Sequence, residues 1–379
     1  MAFNFDVGID RRHSDSVKWN KYGNDVLPMW VADMDFRSPP CILDALHQRV
    51  EHGVFGYGDR PHELIDVVVE RMSSRYQWQI KPEWIVTLPG IVAGLNLSVR
   101  AFTDVTEATI APTPVYPPFK KSSASARRPQ LNAPLRLDKG RWIIDLPSLA
   151  PALTGHEKLL MLCNPQNPGG TVYRREELEQ QLAFAQQHDL LVCSDEIHCD
   201  LLLEPGAKHI PFATLSTDAE QRSITLMSPS KTFNIAGLGA SIAIIPNPEL
   251  RKRFNRTREG IVPGVDVLAL TAATAAWRDG EPWLQELLPY LRHNRDRLVA
   301  AVNGIQGLEM AAPAATYLGW VNATQLAVDN PTLFFQKAGL GFSPGADFGA
   351  AKFVRINFGC TLATLDEAIE RMKAAVSAL

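Results

Sequence analysis

In this chain of 379 residues, four polar features each stand just beyond a short apolar run. Ile224-Thr225-Leu226-Met227 leads into Ser228-Pro229-Ser230-Lys231-Thr232-Phe233-Asn234. Leu191-Val192-Cys193-Ser194 leads into Asp195-Glu196-Ile197-His198. Leu159–Cys163 leads into Asn164-Pro165-Gln166-Asn167-Pro168-Gly169-Gly170, and Trp84–Leu88 into Pro89-Gly90. Short runs of this kind, bounded by turn residues, read as buried strands. Burial at a strand end lowers the pKa of a lysine and makes its amine a nucleophile. A carboxylate set directly after an apolar strand is costly unless a cation meets it. At the start of a helix, the N–H groups of Gly90, Ile91 and Val92 can face an anion. Singly, each feature has a plain reading: a surface lysine, a turn glycine, an Asn-Pro turn, a packed core histidine at His198. Together they follow the C-terminal ends of different strands, the edge of an open parallel sheet at which ligands bind.

An anion site, a buried carboxylate and a strand-end lysine suit a ligand with a phosphate, a protonatable ring nitrogen and an aldehyde. Pyridoxal 5′-phosphate (PLP) has all three, and enzymes that use it pair a Schiff-base lysine with an acidic partner for the ring nitrogen.

The elements that must hold these residues alternate. Strands are expected at Trp84–Leu88, Ala108–Ala111, Leu159–Cys163, Leu190–Ser194, Ser223–Ser228 and Ser241–Ile245, with helical patterns at Ile91–Phe102, Arg175–His188 and Pro246–Arg258. This predicts an α/β fold: a large lobe with a mostly parallel sheet covered by helices, spanning about 50–275. The remainder reads as a smaller α+β lobe at 276–379, joined by an N-terminal arm at 1–49. In that lobe Pro282–Asn303 is a long amphipathic helix that Pro289 should kink or split. Thr316–Val321 and Phe353–Asn357 read as strands, and Leu365–Ala378 as a closing helix. A hydrophobic content of 46% and a charged content of 21% are ordinary for a globular enzyme. A net charge of −3 gives no nucleic-acid footprint. No apolar run is long enough to span a bilayer. The start of the chain lacks a signal-peptide pattern, and the five cysteines show no zinc-type spacing, so a cytoplasmic location is expected.

Several stretches carry a resemblance over nearly the whole chain. They are Trp30-Val31-Ala32-Asp33-Met34-Asp35-Phe36, Thr113-Pro114-Val115-Tyr116-Pro117-Pro118-Phe119, the Cys163–Gly170 and Ser194–His198 segments, Ser228–Asn234, and Val354-Arg355-Ile356-Asn357. In this order they resemble the fold-type I PLP enzymes of the aspartate aminotransferase superfamily, and more closely the MalY/PatB group of cystathionine β-lyase-type C–S lyases. The resemblance implies that Lys231 carries the cofactor and shuttles the Cα proton, and that Asp195 pairs with the ring nitrogen. It implies that Asn167 bonds the phenolic oxygen with His198 close by, and that Tyr116 stacks on the ring and can serve in catalysis. Gly90, Ile91, Ser228 and Ser230 would hold the phosphate, and Arg355 would clamp the substrate carboxylate. Tyr57 would reach the phosphate of a neighbouring subunit, which implies a homodimer. Two departures from many aminotransferases, His198 in place of a tyrosine and Gly239 in place of an arginine, also look like the C–S lyase group. The implied activity is α,β-elimination on L-cystathionine or a related cysteine S-conjugate, giving thiol, pyruvate and ammonia. An aminotransferase is the alternative, and a PLP-binding regulatory protein is a third, more distant one.

Overall fold

A computed structural model describes residues 3–379. Its main sheet has eight strands in the order Ile85–Leu88, Ser241–Ile244, Ser223–Met227, Leu191–Asp195, Glu157–Cys163, Ala108–Thr113, Gln130–Asp138 and Arg141–Ile144. The central strands pair in parallel. Ser241–Ile244 runs antiparallel to both of its neighbours, so Ile85–Leu88 points the same way as the parallel set. Pro89-Gly90, Asn167, Asp195 and Lys231 therefore follow strand ends on one edge. Alternation along the strands divides the core. Leu159, Met161 and Cys163 pack with the helices Ile91–Phe102 and Pro248–Arg258 on one face. Leu160 and Leu162 pack with the helix Arg175–Gln187 on the other. Gly94 lets the first of these helices lie close to the sheet, because a Cβ there would sit 2.8 Å from a methyl of Leu226.

A smaller mixed lobe lies beyond. Its four-stranded antiparallel sheet runs Glu309–Met310, Leu318–Asn322, Phe353–Asn357, Ser343–Pro344. The helices Glu281–Asn303 and Leu362–Ser377 pack with it, and the core they share takes in Met29, Met34 and Phe36 of the N-terminal arm. The long helix runs unbroken through Pro289, against expectation. Leu284, Leu287, Leu291 and Leu298 are all fully buried along it. Burying each is worth ~1.5–3 kcal/mol, which outweighs the ~3 kcal/mol cost of an interior proline. The arm is extended and irregular. It is pinned by Leu27–Pro28, which pairs with Leu340–Gly341, and by two asparagines. Asn234 accepts from the Met34 N–H and donates to the Met34 and Phe36 carbonyls. Asn357 donates to the carbonyls of Val31 and Asp33.

The strand hairpin Gln130–Asp138/Arg141–Ile144 was not among the expected elements. The other expected strands and helices are present, with ends shifted by up to a few residues.

Candidate active site

The arm, the strand ends and the small lobe enclose a cavity of about 420 Å³. Lys231, Asp195, Asn167, His198, Tyr116, Gly90, Ile91, Ser230 and Arg355 all line it.

Lys231 donates from Nζ to the carbonyl of Ala32 at 2.7 Å, and the buried hydroxyl of Tyr317 donates to the same oxygen at 3.0 Å. Burial lowers the pKa of the Lys231 amine to about 8; Arg355 lowers it further, while Asp33 and Asp195 oppose the shift. Asp195 is buried, accepts the Ile197 N–H at 3.1 Å, and forms no ion pair. Burial raises its pKa to about 7, with the Ile197 N–H opposing and Glu196 adding. Burial, with the positive charges of Lys231 and Arg355, depresses His198 to about 3, so its ring is neutral. The buried Nδ1 of that ring has no hydrogen-bond partner among the described residues.

Arg355 lies in the middle of Phe353–Asn357; Val354 and Ile356 beside it enter the core, while Arg355 lines the cavity. One terminal nitrogen donates to Asn167 Oδ1 at 3.0 Å, and the other to the Trp30 carbonyl at 2.9 Å and Ser343 Oγ at 3.3 Å. Nε has no partner, and the guanidinium lies 4.7 Å from the Phe348 ring centre. Burial lowers its pKa to about 10, opposed by Tyr116 and Tyr317. Tyr116 is oriented by its own N–H, which donates to the Asn167 carbonyl at 3.1 Å. Burial raises the pKa of its phenol, which Arg355 partly offsets.

At the opposite end, Gly90 has φ of 120°, a backbone that leads directly into the N-terminus of Ile91–Phe102, where no side chain caps the helix. The Gly90 N–H donates to Ser241 Oγ at 3.2 Å, so the next amides of the turn remain for an anion. Ser228 stands behind the wall. Its hydroxyl donates to the Ala240 carbonyl and accepts the Ser230 N–H, so it reaches the site through Ser230. Tyr57 is fully exposed and lies outside the cavity, in a surface groove with Pro263, Gly264 and Val267.

Glu196, Asp33 and Tyr317 do not line the cavity. Glu196 is buried against His209 and the Phe212 N–H. Asp33 pairs with Arg11. Lys21, Trp30, Ser343, Asp347 and Phe348 line it without having been picked out as site residues. Only the Trp30–Phe36 stretch gave a signal for Trp30. The others arrive through packing between distant segments.

A buried carboxylate without a cation, a depressed strand-end amine and an uncapped helix start share one cavity. The orphaned nitrogens of His198 and Arg355 lie in the same set. This donor set fits PLP end to end, and the fold is that of PLP fold type I. The chain belongs to the class I and II aminotransferase family, whose model matches residues 24–372. It is 39% identical to cystathionine beta-lyase PatB of Bacillus subtilis (strain 168), over 99% of this chain and 100% of that one. It is similar to the crystal structure of OvoB, with 62% identity, a TM-score of 0.98 and full coverage of both chains. It is also similar to the PLP-containing cystalysin of Treponema denticola, with 30% identity, a TM-score of 0.95 and full coverage of both.

Proposed function

We propose that this protein is a PLP-dependent carbon–sulfur lyase of the cystathionine β-lyase type. The observation that carries the reading is a single cavity in which Lys231, Asp195 and Arg355 converge, and similarity to lyases over the full chain supports it. Bound there, PLP supplies an aldehyde for attachment and a ring that draws in the electron pair left on Cα. Lys231 would hold the cofactor, and its free Nζ would take the Cα proton of the bound substrate, a role suited to an amine whose pKa burial lowers to about 8. Asp195 meets the protonated ring nitrogen. Asn167 uses its amide NH₂ toward the ring oxygen, because its Oδ1 is taken by Arg355. Tyr116 would stack on the ring, and Ser230 and the Ile91 N–H would hold the phosphate. Arg355 grips the α-carboxylate. The thiolate leaves Cβ with a proton from Lys231 or Tyr116, and water completes release of pyruvate and ammonia.

The working unit is a homodimer in which Tyr57 reaches the partner's phosphate. Exposed Val54 and Phe55, beside Tyr57 in the chain, support an apolar contact there. A cytoplasmic setting fits, as no helix among the described residues is long and apolar enough to cross a membrane.

The test is product stoichiometry on L-cystathionine with no keto acid present. Equal amounts of thiol, pyruvate and ammonia are expected. Conversion of bound PLP to its pyridoxamine form without thiol would assign an aminotransferase instead.

A further inference from the structure

Two charged side chains at the cavity wall have no part in the chemistry above. Lys21 comes from the N-terminal arm and Asp347 from the short helix Gly345–Phe348 of the small lobe. Both line the cavity and both are exposed at its rim. Among the described residues, neither forms an ion pair with the other or with any third side chain. They are nevertheless neighbours in field: partial burial lowers the Lys21 pKa and Asp347 opposes that shift. Lys21 is exposed but not isolated. Its Nζ lies 3.9 Å from the Trp30 ring centre and 5.2 Å from that of Tyr22, a cation held over aromatic faces.

Both are tied to the carboxylate clamp. Trp30, whose ring carries Lys21, accepts Arg355 at its carbonyl. Phe348, next to Asp347, packs on the Arg355 guanidinium. The cavity thus has a deep cation for one carboxylate and, nearer its mouth, a separated cation and anion. Unpaired with each other, the two charges are free to meet a group that bears both opposite charges on one carbon.

We propose that Lys21 and Asp347 form a second recognition point that selects substrates whose sulfur substituent ends in a zwitterionic amino-acid head. Lys21 meets the distal carboxylate and Asp347 the distal ammonium, while Arg355 holds the carboxylate next to the reacting Cα. Substrates of this class are thioethers joining two amino acids, and simple S-alkyl cysteines lack the second contact. The proposal rests on the lyase reading.

The experiment compares kcat and KM of the wild-type holoenzyme, Lys21→Met and Asp347→Asn on L-cystathionine, S-(3-carboxypropyl)-L-cysteine, S-(3-aminopropyl)-L-cysteine and S-ethyl-L-cysteine. Each variant is expected to lower kcat/KM for L-cystathionine about tenfold, mainly through KM, the worth of one charge-assisted contact. The carboxypropyl probe should respond to Lys21→Met alone and the aminopropyl probe to Asp347→Asn alone. S-Ethyl-L-cysteine should respond to neither. Equal losses on every probe, or no loss on L-cystathionine, would overturn the selecting role. Absence of thiol from the wild type on every probe, the S-ethyl compound included, would overturn the lyase reading and this proposal with it.

Discussion

Asp195 and Lys231 carry opposite burial penalties within one cavity, and this gives the apoprotein a pH signature. The Asp195 pKa is raised from 3.8 to about 7 in the folded protein. The folded state therefore holds a proton that the unfolded state releases, and stability is full below about 4 and falls as pH rises to 7. The Lys231 pKa is lowered from 10.5 to about 8. Between 8 and 10.5 the unfolded state holds the extra proton, and this residue's contribution to stability rises again. Urea unfolding of PLP-free protein across this range should show a decline from pH 4 to 7, on the order of a few kcal/mol. Asp195→Asn should abolish most of that decline, because an amide does not ionise. A variant that retained the full slope would place its cause elsewhere. Holoenzyme should be less affected, since a protonated ring nitrogen gives the carboxylate its missing cation.

The arm is the element that closes the cavity, and Asn234 is its main fastening. Asn234 has φ of 56°, a left-handed conformation that glycine adopts freely. Asn234→Gly therefore removes three hydrogen bonds to the arm without straining the backbone. A loss of about 2 kcal/mol in unfolding free energy is expected, with a raised KM. Unchanged stability in urea and unchanged KM would show that the arm is held by its apolar contacts alone. The lysine, aspartate and asparagine were legible in the sequence because each follows a parallel strand of nearly unbroken apolar residues. The hairpin Gln130–Asp138/Arg141–Ile144 was less so. Leu131, Ala133, Leu135 and Leu137 do alternate along it with polar residues, but Pro134 interrupts the run, and a proline there argues against a paired strand. Its turn at Lys139-Gly140, both with positive φ, carries a lysine where asparagine or aspartate is the usual sign. Lys21 had no local signal at all, because only the packing of the arm and small lobe onto the large sheet brings it to the cavity.

Across the whole molecule, the proposed function would draw the cofactor's partners from the sheet edge and the substrate's from the small lobe and arm. The proposed dimer adds Tyr57, which lies outside its own cavity. Tyr57→Phe should leave the monomer fold unchanged and weaken PLP retention about tenfold in equilibrium dialysis, the loss of one hydrogen bond to a charged group. Analytical ultracentrifugation of the wild type should give a species of two chains; a monomer that retained PLP as well as the wild type would remove Tyr57 from the site.

In the proposed reaction one amine, on Lys231, moves the Cα proton in this cavity. Its most direct measurement is thiol release from L-cystathionine by Lys231→Ala reconstituted with PLP, with and without added methylamine. Loss of activity by several orders of magnitude, partly restored by the small amine, is the expected result. Turnover by Lys231→Ala near the wild-type rate, with no response to amine, would contradict it.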